Sequence, residues 1–114
     1  MYWELTTREV DDTGIIDVLQ VNVFSQSKGE LKSVVVKLLA KGKNNILINL
    51  AKARYIDSSG IGELVGCQMS ALDNSARVVL VVTGRIRDVF VLTRLNEFIM
   101  TFNNEDEAME SFQK

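Results

Sequence analysis

Histidine, proline and a second cysteine are all missing from this 114-residue chain. Without histidine there is no Ser-His-Asp or Cys-His mechanism, no His-ligated zinc and no imidazole switch near neutral pH. A lone cysteine, Cys67, excludes an intrachain disulfide and a cysteine metal cluster, and reads as a small buried apolar side chain. No metal or cofactor is therefore expected, and no enzymatic turnover. Basic charge is not in excess: 13 Lys and Arg against 15 Asp and Glu leave a formal −2, a poor footing for nucleic acid. Apolar runs such as Val78 to Val82 are too short to cross a membrane, and Met1-Tyr2-Trp3-Glu4 does not open a signal peptide. A reducing cytoplasm is the expected location, with no membrane insertion. With 46% hydrophobic and 25% charged residues, and no repeat, linker or low-complexity stretch, one globular domain over residues 1–114 is expected.

What is present alternates between strand and helix patterns. Trp3 to Val10 and Ile15 to Val21 flank Asp11-Asp12-Thr13-Gly14, which predicts an antiparallel hairpin. Glu30 to Lys41 is helical, with Leu31, Val34, Val35, Leu38 and Leu39 on one face, Ser27 and Glu30 at capping-box spacing, and Gly42 as the stop. Asn45 to Leu50 and Arg77 to Val82 have the continuous apolar character of central parallel strands. A helix from Ser59 to Leu72 turns Ile61, Leu64, Val65, Met69 and Leu72 inward, and leaves through Asp73 and Asn74. Arg85 to Leu95 forms a third helix, with Ile86, Val89, Phe90 and Thr93 on one side. Phe98 to Phe102 is a last strand. Asn104 and Glu107 then cap a closing helix that packs through Ala108, Met109 and Phe112. The acidic Glu105-Asp106-Glu107 complements that helix's dipole. The order ββαβαβαβα gives an α/β fold: a mixed sheet of about five strands, an N-terminal antiparallel hairpin with the rest mainly parallel, and about four helices.

The most informative segment is Arg54-Tyr55-Ile56-Asp57-Ser58-Ser59-Gly60-Ile61-Gly62-Glu63, between a buried strand and a helix. Strand-to-helix corners gather binding sites in α/β sheets. Ser58 or Ser59 could cap the helix, but capping does not require Gly60 and Gly62 in its first turn, where glycine costs up to about 1 kcal/mol relative to alanine. A serine nucleophile lacks a histidine, and the Ser25 to Lys28 spacing is a chance-level match to a Ser-Lys dyad. A nucleotide-phosphate loop lacks the P-loop lysine. The fourth reading is a phosphorylation and docking site, where the two glycines would let a partner backbone or a phosphate approach closely.

Ile56-Asp57-Ser58-Ser59-Gly60-Ile61-Gly62 resembles the D-S-[ST]-G-[LI]-G motif of STAS domains, specifically anti-sigma factor antagonists, and the resemblance runs over nearly the whole chain. It implies that Ser58 accepts phosphate from an anti-sigma factor of the histidine-kinase-like ATPase type. It further implies that the unphosphorylated chain binds that factor and releases sigma, and that a serine phosphatase resets the switch. Asp57, Ser58, Ser59, Gly60, Ile61 and Gly62 would form the docking segment. The chain departs from the family pattern in three places. Val21-Asn22-Val23-Phe24-Ser25 replaces a G-x-[LF]-[DN] turn, Gly84-Arg85 stands where a proline is common, and Thr93-Arg94-Leu95 lacks the usual central glycine.

Alternatives are a STAS subunit of a transport or stress-signalling complex, and a small nucleotide-binding protein using the same Gly-rich corner. Tyr2 and Trp3 read as sheet-edge packing. Lys41, Lys43, Lys52 and Arg54 read as a solvated rim on both sides of one strand, with an acidic partner as the competing reading. Arg85 and Arg87 are open in the same way.

Overall fold

The computed structural model describes residues 4–19, 22–23 and 30–113. Tyr2 and Trp3, the Ser27 half of the first capping box, the Ser25–Lys28 pair and most of the Val21–Ser25 turn lie outside the described residues. Strands β1 (Leu5–Val10) and β2 (Thr13–Val18) form the expected hairpin. Its turn is tighter than the four residues expected, because Val10 already pairs with Thr13 and only Asp11 and Asp12 lie between. Asp11 takes the left-handed conformation, with φ 52°. Gly14 belongs to β2 instead. A Cβ there would stand 2.8 Å from Leu38 Cδ1, so this glycine lets a helix approach the strand.

A short β3 (Asn22–Val23) precedes α1 (Glu30–Ala40). Gly42, with φ 87°, ends that helix as expected. The chain continues through β4 (Asn45–Asn49), β5 (Tyr55–Ile56), α2 (Ser58–Asp73), β6 (Arg77–Val81) and α3 (Gly84–Leu92). A single 3-10 turn at Leu95–Glu97, β7 (Met100–Phe102) and α4 (Glu105–Ser111) complete it. The main sheet has five strands in the order β1-β2-β4-β6-β7, antiparallel at β1–β2 and parallel elsewhere. Strands β3 and β5 form a separate parallel pair. Two residues per strand are too few for any periodicity to announce.

The apolar runs in β4 and β6 are continuous because both sheet faces are covered. Ile46, Ile48, Val78 and Leu80 face a core filled by Leu31, Val35, Leu38, Leu64, Cys67, Ala71, Ile86 and Phe90 from α1, α2 and α3. Leu47, Val79 and Val81 face the other way, with Ile15 and Ala108 and the half-buried Met109 and Phe112 of the α4 region. Asn104 caps α4 as expected, its Oδ1 accepting from Glu107 N at 2.9 Å. Arg8 fastens the start of α4 to the hairpin: its guanidinium donates to both oxygens of Asp17 and both of Glu105. Arg77 lies 5.1 Å from the Phe112 ring and holds the other end.

Two helices differ from expectation. In α2, Met69 and Leu72 are 57% and 51% exposed, while Glu63 and Gln68 point inward. Gln68 is satisfied there, donating from Nε2 to Phe98 O at 2.9 Å and accepting from Val78 N at 2.7 Å. Hydrophobic spacing could not reveal this, because two inward positions carry polar groups that complete backbone hydrogen bonds. Helix α3 stops at Leu92 because Arg94 adopts a left-handed backbone, with φ 62°. Thr93 is consequently exposed, its hydroxyl turned back onto Val89 O at 2.6 Å.

Candidate functional site

Beyond the end of β4, Leu50 is tied to the neighbouring strand by its N–H to Val81 O, 2.8 Å. The chain turns at Ala51 and Lys52, buries Ala53, and runs extended through Tyr55 and Ile56. Ile56 is buried and Tyr55 is 53% exposed. Asp57 remains extended, with φ −93° and ψ 176°, and α2 begins at the next residue. Its Oδ1 accepts from Gly60 N at 2.7 Å, so Asp57 is the N-cap. This corrects the expectation that Ser58 or Ser59 would cap. Three consecutive cap-forming residues compete here, and the last extended one wins.

The correction frees the serines. Ser58 and Ser59 are exposed at the first turn of a 16-residue helix, and neither hydroxyl bonds to another described residue. Gly60 is buried, with its amide occupied by Asp57. Ile61 is half-buried against the core. Gly62 is exposed, and a Cβ there would meet nothing within 4 Å, so packing inside the fold does not explain this glycine. Of the six expected site residues, Ser58, Ser59 and Gly62 are exposed at the opening of α2, Asp57 and Ile61 are half-buried, and Gly60 is buried.

Sequence reasoning missed Glu63. It is 8% exposed, and its Oε2 accepts from Leu31 N at 2.7 Å and Lys32 N at 3.2 Å. One carboxylate of α2 thus satisfies amides in the first turn of α1. No sequence signal marks it, since its partners lie in another helix. One turn further along, burial, aided by the charge of Glu63, pushes the Cys67 thiol up to about 12. The native protein should therefore resist a thiol reagent at pH 8 and react only in denaturant. Rapid labelling of native protein would contradict this burial.

The basic residues divide. Lys41 and Lys43 pair with Glu9 at 2.9 and 3.4 Å, before the start of β4. Lys52 and Arg54 lie past its other end, so the four do not form one patch. Arg87 is engaged by Asn103 and Val82 O. Among the described residues there is no group of His, Cys, Asp and Glu that could hold a metal, and no helix long and apolar enough to cross a membrane.

A parallel sheet opened by a hairpin, with a capped Asp-Ser-Ser-Gly helix start beyond a central strand, defines a small α/β domain of the STAS kind. The chain belongs to the STAS domain family, which matches residues 4–108. The anti-sigma-B factor antagonist of Staphylococcus epidermidis is 32% identical over 71 residues, covering 61% of this chain and 66% of that protein. The match thus spans slightly less than two thirds of the relative's length. The solved anti-sigma factor antagonist from Mycobacterium paratuberculosis superposes with a TM-score of 0.84 at 15% identity, over 99% of this chain and 96% of that one. The anti-sigma factor antagonist SpoIIAA in its unphosphorylated form gives 0.77 at 19% identity, over 96% of each chain. The phosphorylated form of the Bacillus protein gives 0.71 at 19%, over 96% of this chain and 99% of that one.

Proposed function

We propose that this chain is an anti-sigma factor antagonist, a docking protein without turnover of its own, switched by phosphorylation of Ser58. The observation that carries the reading is an exposed serine hydroxyl, released from capping by Asp57, at the N-terminus of a long helix. An anion is favoured there by the helix dipole and the unpaired first amides. The open Gly62 leaves room for a partner surface. The curated relative is an antagonist, and SpoIIAA has been solved both with and without phosphate. The partner is an anti-sigma factor of the histidine-kinase-like ATPase type, and a serine phosphatase reverses the mark. A nucleotide loop at this corner is disfavoured, because the Asp57 carboxylate already occupies the Gly60 amide.

Incubation with such a kinase and ATP, followed by mass spectrometry, tests the proposal. Phosphate should map to Ser58, and Ser59→Ala should still accept it. Phosphate mainly on Ser59 would overturn the assignment.

Asp57 has a separable role. Asp57→Ala should lower stability by about 1 kcal/mol through the lost cap, leave the circular dichroism spectrum native, and slow phosphorylation. Asp57→Asn keeps the cap, so it should recover stability. If it also recovers the phosphorylation rate, Asp57 acts only by holding the helix start. A normal rate in Asp57→Ala would remove Asp57 from the phosphorylation reaction.

A further inference from the structure

Arg54 and Arg85, set beside one cavity from two different crossovers, are among the cations that the described fold leaves unpaired. Both are exposed, and neither makes an ion pair or hydrogen bond with another described residue. They line a 440 Å³ cavity together with Ala53, Thr83 and Gly84, and no acidic side chain is among its described lining residues. The same arginines also line an adjoining 370 Å³ depression with Tyr55, Ile56, Ile86, Asp88 and Val89. The result is one groove between β5 and α3 with unlike ends. One end is purely cationic. The other has an apolar floor, an exposed tyrosine and a single carboxylate.

Two like charges set beside one cavity repel each other, and the one carboxylate among the described residues of the groove, Asp88, lies at its other end, so an anion from outside is their natural complement. Arginine and tyrosine are also the side chains most often found at the energetic centre of protein interfaces. The groove residues Tyr55 and Ile56 immediately precede the proposed docking segment in the chain. Arg54 is four residues before Ser58, so their backbones are at most about 14 Å apart.

We infer that this groove receives an acidic-apolar segment of the docking partner, with a carboxylate between Arg54 and Arg85 and an apolar side chain against Tyr55, Ile56 and Val89. Asp88 sets the direction, since it would repel the carboxylate from its own end. This inference rests on the docking reading of the Ser58 surface, but concerns a different set of residues. The partner would thus touch Ser58 and the groove together. Ser58 would decide whether it stays, while the groove would favour partners with the right charge.

The probe is the peptide acetyl-Glu-Glu-Leu-Leu-amide, titrated into the unphosphorylated 114-residue chain and followed by amide NMR. Shifts are expected at Ala53 to Ile56 and Thr83 to Val89. Affinity should fall at least about tenfold in the Arg54→Glu, Arg85→Glu double variant, and fall with added salt. Should the charge reversal disturb folding, Arg54→Gln with Arg85→Gln decides instead, with an expected loss of the same direction. Shifts elsewhere, affinity indifferent to these arginines, or equal binding of acetyl-Lys-Lys-Leu-Leu-amide would each overturn the inference. So would inorganic pyrophosphate binding the same amides more tightly than the peptide, which would make the cavity a small-anion site. The peptide assay needs neither kinase nor phosphate, so its failure leaves the Ser58 assignment standing, and failure to phosphorylate Ser58 leaves the groove result intact.

Discussion

Ser58→Asp is expected to weaken binding of the proposed anti-sigma factor partner at least tenfold, with the circular dichroism spectrum unchanged. Phosphorylation itself adds about −1.5 to −2 charges, close to the whole formal charge of −2, at a single corner. Ser58 sits just after the cap, where the dipole of α2 and its first amides tolerate an anion. Its hydroxyl has no partner within the described fold to lose, so the folded state has no reason to rearrange. A docked partner is different. Pressed against the bare backbone at Gly62, it would have to bury an unpaired charge, at a cost of several kcal/mol. Because about 1.4 kcal/mol is a factor of ten in affinity, even a well-screened penalty reaches the expected loss. Ser58→Ala should bind constitutively and refuse phosphate. Calorimetry with purified partner decides, and a Ser58→Asp protein that binds as tightly as wild type would refute the switch.

The largest expected loss of stability is at Glu63. Glu63→Ala strips the acceptor from Leu31 N and Lys32 N. Hydrogen bonds to a charged group contribute about 1.5–3 kcal/mol, and donors left buried without an acceptor are costly. An overall loss of about 3 kcal/mol is expected, lowering Tm by roughly 10 °C in a chain of this size. Glu63→Gln retains a carbonyl acceptor and should lose less than half as much. Thermal melts provide the comparison, and amide exchange should quicken first at Leu31 and Lys32. Equal melting of Glu63→Ala and wild type would show that water replaces the carboxylate without penalty.

Ile46 to Ile48 and Val78 to Val81 were legible as central strands because burial on both faces demands an unbroken apolar run. Gly42 and Asn104 were legible as helix boundaries because their signals are local. What stayed hidden depends on partners distant in sequence. Glu63 and Gln68 look like solvent-facing residues until the α1 amides and β6 are placed beside them. The Asp57-to-Gly62 motif could be read, but not which of Asp57, Ser58 and Ser59 is the cap, since that depends on where the backbone turns helical. Arg54 and Arg85 meet only because β4 and β6 are parallel neighbours whose following loops emerge at the same end of the sheet.

Among the described residues, three that are not glycine take left-handed backbones: Asp11, Ser75 and Arg94. Asp and Ser have short polar side chains that can bond to the nearby backbone, but arginine has no such compensation and bears a penalty of about 1 kcal/mol. The left-handed residue is held between the end of α3 and the turn in which Phe98 N meets Leu95 O at 2.9 Å, just before the fully buried Ile99. Tertiary structure has therefore taken over a task that glycine ordinarily performs through local freedom. The turn thus tolerates a charged, exposed side chain where the family pattern usually has glycine. A signature that insisted on glycine at this point would pass over this lineage, whereas the geometry of the turn would still recognise it.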